Sequence, residues 1–157
     1  LLGAEGEGGE PLVRALDRYA VATSAMLVGA ADRAVDLSVE HGNEREQFGH
    51  PVGRYQAVKH RTVDMWMTMQ ASRSLLYYAA WALDSDAADA PRAVSSIKAF
   101  CSEHAATLFR DDIQNHGGMG YTWDHDGHVY LKQAKAWEQF PRSADYHWDR
   151  IADSRGF

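Results

Sequence analysis

From Leu12 to Ala34, small and apolar residues return every three or four positions: Leu12, Leu16, Tyr19, Ala20, Thr23, Leu27, Ala30, Ala31 and Ala34. Nowhere does the chain sustain a two-residue alternation. The pattern puts an apolar stripe on a helix and leaves a sheet without a face to bury, so it restricts the fold to packed helices. Pro11 suits the first turn of this helix, and Gly42 is placed to end it. The first helix is expected to run for roughly 30 residues, about 45 Å at the α-helical rise. A second periodic segment carries Tyr55, Val58, Thr62, Met65, Trp66, Met69, Leu76, Tyr77, Ala80 and Leu83, and ends in DSDAADAP. Pro91 opens a third, with Val94, Ile97, Phe100, Cys101, His104, Ala105, Leu108, Phe109 and Ile113 on one face; HGGMGY stops it. Asp124 can cap a short fourth helix through about Trp137, and Ser143 a last one through about Asp153. The expected fold is all-α, an up-and-down four-helix bundle with long antiparallel helices.

Composition then excludes several functions. The chain has 157 residues, one domain's worth, and its net charge of −6 offers no basic field for nucleic acid. The longest small-apolar run, Ala20 to Ala31, contains Thr23 and Ser24 and falls short of the about 20 apolar residues that cross a bilayer. The opening LLGAEGEGGEPL has neither the basic start nor the cleavage site of a secretory signal, so a cytoplasmic protein is expected. Residues 1–10 read as a linker from a preceding domain, and residues 11–157 as the bundle. The lone Cys101 cannot form an internal disulfide and sits in a periodic segment, the setting of a buried, inert thiol.

Some residues suggest chemistry when read alone. Asp124, His125, Asp126 and His128 crowd a helix start as candidate metal ligands, but their spacing matches no zinc signature, and no metal is assigned. Met65, Trp66 and Met69 are at core spacing, which favours packing over an adaptable groove. GGMGY, Gly117 to Tyr121, is neither a dinucleotide fingerprint nor a phosphate loop, and alone reads as a helix stop. Arg45 alone reads as a solvated surface charge.

Taken in order, two of these stretches carry more. REQFGHPVGRYQAVKHRTVDM lies between the first two long segments, and QNHGGMGYTWDHDGHVYLKQAK starts at Gln114. Together they resemble the C-terminal helical domain of the acyl-CoA dehydrogenases, over essentially the whole chain. The form GGMGYTWDHDGH looks most like actinobacterial members, some of which act on bulky substrates such as steroid side chains. The resemblance implies an FAD site shared across a subunit interface, an acyl-CoA substrate, an oligomer of like or unlike subunits, and electron-transfer flavoprotein as acceptor. It implies that Arg45 reaches the FAD pyrophosphate of a neighbouring subunit, with Gln47, Phe48 and Gln56 lining the cofactor. Gln114, Gly117 and Gly118 would hold its ADP half. The residue types suit this: a planar guanidinium matches phosphate oxygens, Gly49 and Pro51 allow a tight turn, and glycines let a backbone approach a ligand. His116 stands where many members have a bulky apolar residue.

The departure from the family concerns catalysis. Dehydrogenation requires a carboxylate to take the α-proton while FAD accepts hydride from the β-carbon. The two positions where members of the family place that glutamate fall here on Pro141 and Tyr19, and neither supplies a carboxylate. Glu138 and Asp17 are near in sequence, and a surface or capping role is expected for both. This implies a subunit without its own base, as in heteromeric members where a partner carries the glutamate. A structural bundle that only oligomerises and a metal-binding four-helix protein are the readings from other classes.

Overall fold

In a computed structural model, which describes Ala4 and residues 6–156, the chain is a helical bundle. Part of the linker expected at residues 1–10 lies outside the described residues. Helix α1 spans Gly9–Glu44, α2 Gln56–Asp84, α3 Ala90–His116, α4 Gly127–Glu138 and α5 Ala144–Asp153. The three long helices pack on one another; α4 and α5, both short, pack against α3. The only strands among the described residues are β1, Glu46–Gln47, and β2, His50–Pro51, paired antiparallel between α1 and α2.

Periodicity locates most of the core. Leu27, Ala31, Ala34, Met65, Met69, Leu76, Ile97, Leu108 and Phe109 are buried in one cluster. Cys101 is buried as expected, and burial pushes its thiol up to about 11, far from the thiolate range. Other face assignments differ. Leu12, Tyr19 and Tyr77 are exposed, and Trp66 is 49% exposed, so Met65 and Met69 are core while the indole is not. Small residues explain this: Ser24, Ser38, Ser72, Ala79 and Ala82 lie at the contacts, bringing the backbones close and leaving the aromatics outside. Gly42 does not end α1. The helix continues to Glu44, because Gly42 is a contact point: a Cβ on Gly53 would stand 2.8 Å from the Gly42 carbonyl oxygen. Asp124 lies before α4 without capping it, and Asp126 holds the N-cap position with no side-chain bond. Ser143 does cap α5, accepting from the Tyr146 N–H at 3.5 Å.

Two basic side chains are folded inside. Lys98 donates to Ser102 Oγ at 2.7 Å and to the Trp137 carbonyl in the last turn of α4 at 2.8 Å, and burial pushes its pKa down to about 8. His147 is buried with Nδ1 3.1 Å from Ser95 Oγ; burial first, then the charges of Lys98 and Arg150, push it down to about 4. Unfolded, this ring takes a proton near 6.5, so acid favours the unfolded chain across the window between the two values. Stability should therefore fall by up to about 3 kcal/mol between pH 6.5 and 4 from this residue. His41 and His125 are lowered too and act in the same direction, while His116 is raised and opposes them. Urea midpoints at neutral and acid pH should show a shallower loss in His147→Leu than in the parent. Equal losses would show that His147 does not carry the effect.

Candidate functional site

The stretch between α1 and α2 is a small rigid structure. Arg45 is the C-cap of α1: its N–H donates to the His41 carbonyl at 2.9 Å, and its carbonyl accepts from Val52 N–H at 2.7 Å. Gln47 pairs with His50 across a two-residue turn whose central residues, Phe48 and Gly49, have φ of 54° and 80°. Two consecutive positive φ values are what the twist of a tight hairpin asks for. Gly49 adopts one freely, whereas Phe48 does so at a cost of order 1–3 kcal/mol. Its ring gains no burial in return, being 90% exposed. Tyr55 closes the base of the hairpin, its hydroxyl donating to the Gln47 carbonyl at 3.0 Å. Arg45, Gln47 and Gln56 are all exposed.

The second stretch follows α3. Gln114 is exposed on the last turn, and Gly117 breaks the helix at φ 60°, ψ −135°, a conformation open only to glycine. A Cβ on Gly117 or Gly118 would meet nothing within 4 Å, so both face open space. Gly120 folds back: a Cβ there would lie 2.4 Å from the Ile113 carbonyl oxygen.

These two stretches are brought to one end of the bundle. The rings of His41 in α1 and His116 in α3 lie 4.6 Å apart, four residues before Arg45 and one before Gly117. Arg61 of α2 joins the same end, reaching Asn115 Oδ1 at 3.2 Å and Asp111 at 3.5 Å. All seven residues singled out as cofactor-facing therefore belong to one end of the molecule.

Tyr19 and Pro141 fall in one region, joined through Phe140. The Tyr19 ring packs edge-on against Phe140 at 5.3 Å, and Pro141 lines a small cleft with Val13, Leu16, Asp17, Arg142 and Tyr146. This is another region of the bundle, because Tyr19 and Arg45 are 26 positions apart along α1, about 39 Å of helix. Asp17 is not on the surface: it is buried, and both carboxylate oxygens are held by Arg150 at 2.6 and 2.8 Å. The sequence gives no hint of this pair, since its partners are 133 residues apart. Glu138 is half-buried and paired with Lys135.

Asp124, His125, Asp126 and His128 do not converge. Only His125 is buried, and it faces Asp112 and His116 instead, the three offering ligand atoms within 4.8 Å of one another. Their hydrogens suit a metal poorly. The Gly127 N–H donates to His125 Nδ1 at 3.0 Å, which leaves the proton of the neutral ring on Nε2, the nitrogen that faces Asp112. His116 Nδ1 lies 2.9 Å from the Asp112 carbonyl oxygen, an obligate acceptor, so that nitrogen is protonated as well. Asp112 is a residue the sequence reading passed over. A carboxylate and a histidine four apart on the apolar face of a helix were the available sign.

The family model for the acyl-CoA dehydrogenase C-terminal domain matches residues 6–154. The acyl-CoA dehydrogenase IpdE2 of Mycobacterium tuberculosis is 37% identical over 118 residues, 75% of this chain and 35% of that protein. An FAD-dependent dehydrogenase of known structure superposes with a TM-score of 0.93 at 32% identity, over 99% of this chain and 41% of its own. The steroid ACAD Tcur3481-Tcur3483 superposes at 0.82 with 29% identity, over 90% and 39%. The chain thus spans well under half the length of the relatives it matches. No helix among the described residues is long and apolar enough to cross a membrane. The match over nearly the whole chain and the shared helical architecture place this chain in the acyl-CoA dehydrogenase family, as its C-terminal helical domain.

Proposed function

We propose that this chain is the FAD-interface and oligomerisation domain of an acyl-CoA dehydrogenase, and that it completes a flavin site without supplying the catalytic base. The observation that carries the reading is the meeting of Arg45, the Phe48 turn and the Gly117–Gly118 break at one end of the bundle, all open to a partner. The residues fit a dinucleotide. Arg45 would donate paired hydrogen bonds to pyrophosphate oxygens, and the strained Phe48 turn holds an apolar ring outward. Gly117 and Gly118 would let their N–H groups approach the ADP half, with Gln47, Gln56 and Gln114 as amide partners at the rim. The bound flavin would take hydride from the β-carbon of an acyl-CoA and pass electrons to electron-transfer flavoprotein. A second chain is required, because the base positions and the Arg45 end are separated by most of α1. Exposed Trp66, Met67, Tyr77 and Trp81 on α2, and an apolar groove of about 270 Å³ lined by Val35, Val39, Val58, Val63 and Trp66, support an oligomer built through this domain.

The absence of a base rests on four residues. Pro141 has no acid–base atom, Tyr19 carries no carboxylate, Asp17 is committed to Arg150 and Glu138 to Lys135. The α-proton would then pass to a carboxylate of another subunit. The test is dehydrogenation by the assembled flavoprotein with flavin content measured alongside. Glu138→Gln should leave turnover within about two-fold, whereas loss of a general base typically costs about 10²–10⁴. A hundred-fold drop at normal flavin content would make Glu138 the base and refute the reading.

A further inference from the structure

Between the two cofactor-facing stretches lies a buried polar cluster that bundle packing alone does not require. Asp112 is wholly buried on α3, accepts from Ser38 Oγ of α1 at 2.9 Å, and has His116 Nδ1 at 3.3 Å. Its other oxygen, Oδ2, faces His125 Nε2 at 4.0 Å, and both atoms are buried without a hydrogen-bond partner. The His125 ring lies 3.9 Å from that of His116, and His41 approaches His116 at 4.6 Å. One carboxylate thus sits among three imidazoles drawn from α1, α3 and the segment before α4.

We propose that Asp112 is a positioning residue for dinucleotide binding, clasping the 117–124 loop to the Arg45 end of α1 through Ser38, His116 and His125. The inference rests on the flavin-site reading above. His116 and His125 bracket the loop, and between them Met119, Tyr121 and Trp123 point outward, the last 83% exposed. The loop is therefore anchored at its ends by the cluster and in its middle by Gly120 against the Ile113 backbone, with its large side chains outward. The clasp is one hydrogen bond short of closed. His125 Nε2–H is a donor, Asp112 Oδ2 an acceptor, and an approach of about 1 Å brings them into bonding range.

Charge supports the same arrangement. Burial lowers the His116 pKa, but the carboxylate and carbonyl of Asp112 outweigh it, so His116 is raised. Burial and then the charge of His116 hold His41 and His125 down. The other charges facing the cluster are Arg45 beside His41, Asp126 and His128 beside His125, and Arg61 of α2, which pairs with Asp111. The shifts favour protonation of His116, beside the carboxylate, before His41 or His125. Acid then adds like charge on either side of His116 and puts a proton on His125 Nδ1, which takes away the acceptor of the Gly127 N–H and loosens the clasp.

The test is FAD affinity of the assembled flavoprotein that contains this chain. Asp112→Asn and His125→Phe should each weaken FAD about ten-fold at pH 7. His125→Gln keeps an acceptor for the Gly127 N–H and a donor toward Asp112, and should stay within about three-fold. Parent affinity should fall between pH 7 and 5.5, and Asp112→Asn should flatten that profile. In the 157-residue chain itself, imidazole nitrogen NMR should show His116 taking up its second proton at a higher pH than His125, whose neutral ring carries its proton on Nε2. If Asp112→Asn fails to fold, the two His125 variants decide: equal losses in both overturn the proposal. So do FAD affinities within two-fold of the parent while Arg45→Ala loses FAD, a result that leaves the flavin-site reading intact. Should Arg45→Ala retain FAD as well, that reading fails and the proposal with it.

Discussion

Gly120→Ala should cost this domain about 3 kcal/mol, the upper end of the range for overpacking. The added methyl would sit 2.4 Å from the Ile113 carbonyl oxygen and 3.0 Å from its carbon and Cα. These are backbone atoms of a long helix, and no rotamer change can move them aside. The loop would have to lift from α3, taking with it the Gly127 turn, where a Cβ would already meet the His125 ring at 2.8 Å. For a chain of this size the melting temperature should drop by about 6–12 °C. Gly118→Ala is the matched control. Its methyl meets nothing within 4 Å, so stability should change by less than about 0.5 kcal/mol, while any ligand lying on that backbone would be displaced. Thermal denaturation followed by circular dichroism checks both. A shift under about 2 °C for Gly120→Ala would mean that the loop does not pack on α3 as described.

Arg45→Ala should strip flavin from the assembled protein while leaving the fold untouched. The side chain is exposed and makes no ion pair among the described residues, so its removal should cost the domain less than about 0.5 kcal/mol. Its backbone, held by His41 and Val52, would keep the hairpin in place. On the proposed reading, what disappears is a set of donors to the pyrophosphate; counting one net charge-assisted hydrogen bond at about 1.5–3 kcal/mol, FAD affinity should fall by about 10- to 100-fold. Arg45→Lys should recover only part of this, because an ammonium keeps the charge but not the bidentate geometry. Flavin absorbance per chain after gel filtration, with titration calorimetry of the apoprotein, measures the effect. Occupancy within two-fold of the parent would remove Arg45 from the site.

The helices were legible because their evidence is local. A stripe at 3.6-residue spacing, Pro91 in a first turn, Ser143 as a cap and Gly117 past a last turn each act within a few residues. The two motifs were legible for a related reason, since glycines, an arginine and amides in a fixed order report a local backbone and its chemistry. Which face of each helix is buried was less so. Periodicity counts Tyr19, Trp66 and Tyr77 as core because they are apolar, but the contacts were taken by Ser24, Ser38, Ser72 and Ala79, whose small size permits close helix approach. Gly42 misled in the same way: its local meaning is a helix end, and its actual use is the crossing with Gly53.

Partnerships between distant residues were decided by tertiary structure alone. Asp17 finds Arg150, Ser38 finds Asp112, and His41, His116 and His125 come together from three elements. A hydrogen bond or ion pair is set by distances of a few ångströms and leaves no periodic trace in the chain, so a buried aspartate in a helix looks the same in sequence as an exposed one. The local code settled that this chain is a helical bundle. Packing settled which carboxylates are committed, which rings gather around Asp112, and that the ends of α1 and α3 lie together.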